Sequence, residues 1–399
     1  MLSVLICALL IGACAQAAAA PSMIARGEYL ATLGDCVVCH TSSRSGERPY
    51  AGGRGLHARF GVVYSSNLTP DKETGIGTWS ADQFYRALTR GIDDEGNNLY
   101  PAFPYVYFKN VTRDDSDALF AYLQSLPPVH YAPPRNRLVF PANIRPLMAV
   151  WNWLFFDHAK IRPDAAKSDA WNRGNDLVNG LAHCGGCHTP KNFFFADKNE
   201  ELLQGGRVES WFAPNLTQSP KSGLGHWSSE DIVQYLKTGT NQFGRAVGSM
   251  REVVDASTSQ MSDADLNAIA SYLKSMPPSG ESVPDHPGPA IMAAGHAVYV
   301  QHCGVCHDKA ADYPTLWGNG VVNASDSTTA IRVILFGSPA PASTNGNIAY
   351  SMPAFGTLGD DDIAAVTSYI RNSHGNAAGV VRSRDVKALR QAVTRLQQH

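Results

Sequence analysis

Six of the eight cysteines in this 399-residue chain fall in three C-x-x-C pairs, and a histidine follows each pair. The motifs are Cys36-Val37-Val38-Cys39-His40, Cys184-Gly185-Gly186-Cys187-His188 and Cys303-Gly304-Val305-Cys306-His307. A structural zinc site needs four ligands, and none of these motifs has a second C-x-x-C or a histidine pair at finger spacing. A thioredoxin-like dithiol follows a strand in a βαβ unit, whereas these pairs follow helical patterns. C-x-x-C-H is the attachment signature of c-type haem. One helical turn sets two thiols against the two porphyrin vinyl groups, and the adjacent imidazole reaches the iron as proximal ligand. The pattern predicts three covalently attached haems, with His40, His188 and His307 on iron. His183 and His302, which directly precede two of the motifs, read as exposed bystanders.

The other two cysteines, Cys7 and Cys14, lie in an uncharged, apolar opening stretch that ends in Ala18-Ala19-Ala20 before Pro21. Residues 1–20 resemble a secretory signal peptide. Ile11-Gly12-Ala13-Cys14 also resembles a bacterial lipobox, so simple cleavage, lipidation at Cys14 and a retained anchor are all open. Cleavage after Ala20 leaves only the three pairs in the mature chain. The 33 basic residues against 35 acidic ones give a net charge of −2, which offers no basic surface for nucleic acid. With 44% apolar and 17% charged residues, the composition is that of a globular protein and excludes a multi-span membrane bundle.

The chain repeats itself with a period of 148: Cys36 maps to Cys184, Asn67 to Asn215, Trp79 to Trp227 and Gly91 to Gly239. Ser80 with Gln83 reads as a capping box, and Ser228 with Asp231 is a weaker signal at the same place. Each copy closes in a helical stretch, 115–126 and 263–276, with apolar residues at i, i+3, i+4. A shorter third copy ends in 360–371. Helix starts containing Gly27, Gly174 and Gly295 precede the motifs, and a glycine beside an aromatic or leucine lets two helices approach closely. The predicted fold class is all-α, with tandem domains each built around a covalently attached haem. The boundaries are 1–20 signal peptide, 21–143, a linker helix 144–165, 166–284, 285–380, and a basic amphipathic tail 381–399.

A thioether opposite the histidine raises the reduction potential and closes the iron, which suits electron transfer. Ser351-Met352-Pro353-Ala354-Phe355-Gly356 presents Met352 in the third copy, and Met250 holds the corresponding loop of the second. Met261 and Met276 read as packing. In the first copy that slot falls on Ala102 or Phe103, in Leu99-Tyr100-Pro101-Ala102-Phe103-Pro104-Tyr105, and neither side chain binds iron. Met148 is the predicted ligand there; packing of Met148 in a linker helix, His57, His130 and an open iron are the alternatives. Asn67, Trp79, Asn215 and Trp227 are expected to help line the crevices, and Pro314 to offer its carbonyl to His307.

With its three C-x-x-C-H motifs, two loops from Asn-Leu-Thr to Gly-x-Gly-x-Trp-Ser, and Ser-Met-Pro-Ala-Phe-Gly, the chain resembles the triheme cytochrome c subunit of bacterial membrane-bound dehydrogenases. The resemblance spans nearly all of residues 26–375. It departs at Phe103, where many members have Met. It implies class I cytochrome c-like domains and a periplasmic electron carrier attached peripherally to the outer face of the inner membrane. The implied partners are a quinoprotein, flavoprotein or molybdenum dehydrogenase as donor, and ubiquinone or a terminal oxidase as acceptor. No catalytic site of its own is evident. The rival functions are a haem enzyme, such as a peroxidase or oxyanion reductase using an open first haem, and a cytochrome module of a terminal oxidase. The basic tail, with Val386, Leu389, Val393 and Leu396 on one side, reads as a membrane or partner contact or as a solvated helix. The aromatic run Trp151–Phe156 is a second candidate contact surface or, the stronger reading, is buried between domains.

Overall fold

The computed structural model describes residues 22–280, 285–308, 313, 315–339 and 351–397. The signal sequence and Pro314 lie outside them. The chain forms two compact units: one holds the residues up to Pro163 together with Asn179–His183, the other holds Asp164–Val178 and everything from Cys184 onward.

One helix crossing recurs around all three motifs. A lead helix runs into each motif and packs on a later closing helix: residues 22–33 on Arg113–Ser125, Asp169–Asp176 on Asp263–Lys274, and Pro289–His302 on Asp360–Arg371. The crossing points are the three glycines. A Cβ on Gly27 would lie 2.0 Å from the carbonyl oxygen of Ala118, on Gly174 2.0 Å from that of Ala268, and on Gly295 2.2 Å from that of Ala365. Close behind in every case is the Cβ of a tyrosine four residues further on: Tyr122, Tyr272 and Tyr369. Backbone therefore touches backbone, which only glycine allows. In the first two copies an ion pair staples the same crossing. Arg26 meets Asp115 at 2.6 Å, and Arg173 grips Asp265 through two nitrogens at 2.8 and 3.1 Å.

The central helices Ala81–Arg90 and Ser229–Thr238 both begin in complete capping boxes, from Ser80 with Gln83 and Ser228 with Asp231. Both end on a left-handed glycine, Gly91 (φ 63°) and Gly239 (φ 74°). Asp231 is thus a full partner where its short side chain gives only a weak signal in sequence.

Helices carry the core, but the all-α expectation misses three short antiparallel sheets among the described residues. Gly55–Ala58 pairs with Gly61–Tyr64, which pairs with Arg137–Leu138. Gly206–Val208 pairs with Trp211–Ala213, and Thr240–Asn241 with Gly244–Arg245. These strands are two to four residues long, too short to show a period of two.

The basic tail forms the helix Ser383–Gln397. Its apolar residues Val386, Leu389 and Val393 are buried in the core that holds Ile331, Leu335, Ile363 and Val366. Arg390 fastens it by donating to the carbonyls of Gly356 and Leu358 and pairing with Asp360 at 2.7 Å. This face is consumed by packing and is neither a lipid-facing nor a partner-facing stripe. The aromatic run divides instead of acting as one surface. In the helix Leu147–Phe155, Trp151 is buried, as is Phe156 just beyond it, while Trp153 is 82% exposed.

Candidate haem-binding sites

Each motif is a single helical turn, Cys36–Cys39, Gly185–His188 and Gly304–His307, so the two sulfurs and the imidazole are set by local geometry. The first two histidines are then held identically. His40 Nδ1 donates to the carbonyl of Ser66 at 2.7 Å, and His188 Nδ1 to that of Pro214 at 2.6 Å, each 26 residues downstream. A carbonyl only accepts, so Nδ1 carries the hydrogen and Nε2 presents its lone pair. Burial lowers the pKa of both rings, outweighing the carbonyl's opposite pull, and keeps them neutral and able to ligate. No residue pattern names these two partners, although the repeat register relates them: 66 and 214 differ by the same 148.

The carbonyls are fixed by the asparagines that follow them. Asn67 Oδ1 accepts from the Thr69 backbone at 2.9 Å while Nδ2 donates to the carbonyls of Val129 (2.8 Å) and Tyr131 (3.2 Å). Asn215 accepts from the Thr217 backbone at 2.8 Å and donates to the Ser279 hydroxyl at 2.8 Å. Both are buried. Their polar atoms serve the turn structure of the loop.

Burial favours the protonated form of the first thiol of each motif. Burial, with Asp35 adding to it, pushes Cys36 up to about 12. Burial with Cys187 pushes Cys184 up to about 12, and burial with Cys306 pushes Cys303 up to about 11. Redox and metal-binding cysteines show the opposite shift. No group of three or more His, Cys, Asp or Glu able to hold a metal ion occurs among the described residues.

The third motif opens on an apolar cleft with about 1210 Å³ of atom-free space, part of it open to solvent. Cys303, Cys306 and His307 line it together with Met352, Phe355 and Leu316. Met352 is pinned by two backbone bonds with Ser338, at 3.0 and 2.9 Å. His302 also lines this cleft, and His183 is half-buried with its ring 5.4 Å from Phe108. Neither is the exposed bystander expected of it.

In the second motif Met250 is half-buried in the first turn of Ser249–Ala256, after Gly248 (φ 55°), whose Cβ would lie 2.3 Å from the Trp211 ring. Met261 is buried in packing. Trp227 is stacked on Phe243 at 5.6 Å, and its indole Nε1 is buried with no acceptor among the protein atoms. A buried donor of this kind fits a bound anionic group. Trp79 is half-buried.

In the first motif Phe103 packs on Phe108 at 5.5 Å. Met148 is half-buried in the first turn of Leu147–Phe155. It shares a helix face with Trp151 and Asn152, three and four residues on. Asn152 accepts from the Tyr105 hydroxyl at 2.6 Å and donates to Asn98 at 3.0 Å, while Arg145 binds Asp93 at 2.7 Å. The face carrying Met148 is thus strapped to the loop where the methionine slot is missing. His57 is half-buried in the strand Gly55–Ala58, and His130 is exposed beside Asp71.

Residues 172–277 match the family described as Cytochrome c, and residues 290–370 the family described as Cytochrome C oxidase, cbb3-type, subunit III. The chain is 37% identical to the fructose dehydrogenase cytochrome subunit of Gluconobacter japonicus, over 92% of this chain and 82% of that protein. It is also 37% identical to the gluconate 2-dehydrogenase cytochrome c subunit of Pantoea cypripedii, over 94% and 90%. The chain belongs to the cytochrome c subunits of membrane-bound dehydrogenases. It carries covalently bound c-type haem, as that family does. A third relative, the cytochrome c subunit of the quinone-dependent alcohol dehydrogenase of Gluconobacter oxydans, is 36% identical over 92% of this chain and 82% of its own length. None of these names favours a free-standing haem enzyme.

Proposed function

We propose that this cytochrome subunit carries three haems, one on each motif of a tandem set of three cytochrome c-like domains. It takes electrons from a catalytic dehydrogenase subunit in the periplasm and delivers them to ubiquinone or a terminal oxidase. The observation that carries this reading is the glycine crossing built three times, each immediately before a C-x-x-C-H turn. Bound haem iron supplies a reversible one-electron couple. The chain's own residues do the rest. Cys36, Cys39, Cys184, Cys187, Cys303 and Cys306 hold the porphyrins. His40, His188 and His307 face the iron, with the Ser66 and Pro214 carbonyls fixing the first two rings. Met250 and Met352 would close the second and third sites and Met148 the first, and the Trp227 indole would be available to donate to a carboxylate of the second haem.

Among the described residues no helix is long and apolar enough to cross a membrane. With the tail helix consumed by the core, peripheral attachment falls to the exposed apolar residues around Phe140 (77% exposed), Trp153 and Leu154, a composition suited to a bilayer interface. The reading is tested on protein purified from its native membrane. Mass spectrometry should find three haem adducts, one fewer for each Cys-to-Ala pair. A large subunit bearing pyrroloquinoline quinone, flavin or molybdenum should co-purify. Fewer than three adducts, or a protein active without any partner, overturns it.

A further inference from the structure

The cleft at the third motif is not made by the third repeat alone. Arg245 and Val247 line it, and both come from the second repeat, where Gly244–Arg245 is the returning strand of a hairpin. The two repeats belong to one compact unit, and several bonds register them. Thr329 accepts from the Phe212 backbone at 2.8 Å and donates to its carbonyl at 2.9 Å. Arg332 lies 4.1 Å over the Trp211 ring, and Arg207 pairs with Asp326 at 2.5 Å. Gly244 sits where a Cβ would be 3.4 Å from the Asn319 amide.

Two arginines line this cleft, and they differ. Arg371 sits on the closing helix of the third repeat and donates to the carbonyls of Val322, Ala324 and Gly379; its guanidinium organises backbone. Arg245 is delivered from the neighbouring repeat into a lining that is otherwise mostly apolar. Burial and the nearby Arg251 both lower its pKa, so an anion placed beside it would be stabilising. A c-type haem brings two such anions, its propionates.

On the reading that the third motif binds haem, we propose that Arg245 is a positioning and tuning residue for that haem, supplying from the second repeat the counter-charge to its propionates. A positive charge held there favours the reduced iron, because reduction lowers the site's net positive charge. The second repeat thereby sets the potential of its neighbour's haem.

The test is a spectroelectrochemical titration of the full holoprotein. Met352→His first marks the third haem: it removes one Met–iron charge-transfer band and moves one redox wave. If no wave or band responds, Met352 is off the iron and the third wave is taken instead as the one lost in Cys303→Ala/Cys306→Ala; if that variant loses no haem adduct, the haem reading of the third motif fails, and the inference with it. With the wave identified, Arg245→Gln should weaken that haem's reduction about tenfold, a fall of ~59 mV for a one-electron couple, with its Met–iron band intact. Arg245→Met should do the same and Arg245→Lys should recover most of the loss. Arg207→Gln removes a charge from the same interface but not from the cleft, and should leave the wave in place. An unmoved third wave in both neutral variants, a shift in another haem's wave, or an equal shift in Arg207→Gln overturns the proposal.

Discussion

On the ligation proposed above, the first and third motifs would meet one requirement, a side chain to close the iron, in opposite ways. The third keeps Met352 in a loop of its own repeat, bonded to Ser338 and packed on its own core. The first has Phe103 in the corresponding loop and a later helix strapped across it by Arg145 and Asn152. If Met148 ligates as proposed, a ligand position can leave its repeat when a downstream segment is anchored to the vacated loop. What cannot move is the crossing beneath it, which is the same in both repeats.

That distinction can be broken at its base. Gly27→Leu and Gly295→Leu each drive a side chain into a carbonyl about 2 Å away. Overpacking on this scale costs ~3 kcal/mol or more. Each variant should lose one haem adduct and unfold at markedly lower denaturant concentration, to a similar degree. A variant that melts like the parent would show that the shared crossing does not hold these repeats together.

The next effect is on ligation. Met352→Ala should turn one haem high-spin and able to bind carbon monoxide when reduced, and Met148→Ala should do the same to a different haem. Phe103→Met in the Met148→Ala background should restore the low-spin spectrum by returning the ligand to its loop. A Met148→Ala protein with an unchanged spectrum removes Met148 from the iron and leaves it a packing residue.

A smaller contrast separates the loops behind the histidines. Asn67→Ala takes a donor from the carbonyl of Tyr131 and leaves that of Val129 only the longer bond from the Thr69 hydroxyl at 3.4 Å, whereas Asn215→Ala frees a hydroxyl of Ser279 that can turn elsewhere. Leaving buried polar groups unpaired costs about 1–3 kcal/mol, so Asn67→Ala should cost ~2 kcal/mol and Asn215→Ala ~1 kcal/mol in urea unfolding. Equal losses would mean that these partners do not set the difference.

What is readable in the sequence is local or periodic. The haem turns need only three adjacent residue types, and the period of 148 exposes the helices and the glycines between them. What escapes it needs a partner that no local pattern names. The tail helix shows why: Val386, Leu389 and Val393 make the same stripe whether a bilayer or Ile363 covers them. The sequence suggests Pro314 for His307, yet it gives no sign of the carbonyls of Ser66 and Pro214, because a backbone acceptor has no residue type to betray it. Arg245 likewise reads as one more surface arginine until the hairpin that carries it meets the third motif.

The smallest predicted effects test whether the first two repeats are equivalent where they look most alike. Ser80 and Ser228 each accept from the N3 backbone, at 3.2 and 3.1 Å, and their N3 side chains return the bond at 2.8 Å. Replacing an N-cap serine by alanine costs typically ~1 kcal/mol, so Ser80→Ala and Ser228→Ala should lower stability by that amount. The N3 residues should differ. Gln83 closes its box, whereas Asp231 closes its own and also accepts from Gln242, on the turn leading into Gly244–Arg245, at 3.0 Å. Asp231→Ala should therefore cost more than Gln83→Ala and loosen that hairpin. Hydrogen exchange at Asn241 to Gly244 would report it, rising in Asp231→Ala and staying at the parent rate in Gln83→Ala. Equal exchange in the two variants would show that the Asp231 carboxylate does not hold the hairpin, leaving that to the Asn241 bond to the Asp231 carbonyl and to the third repeat.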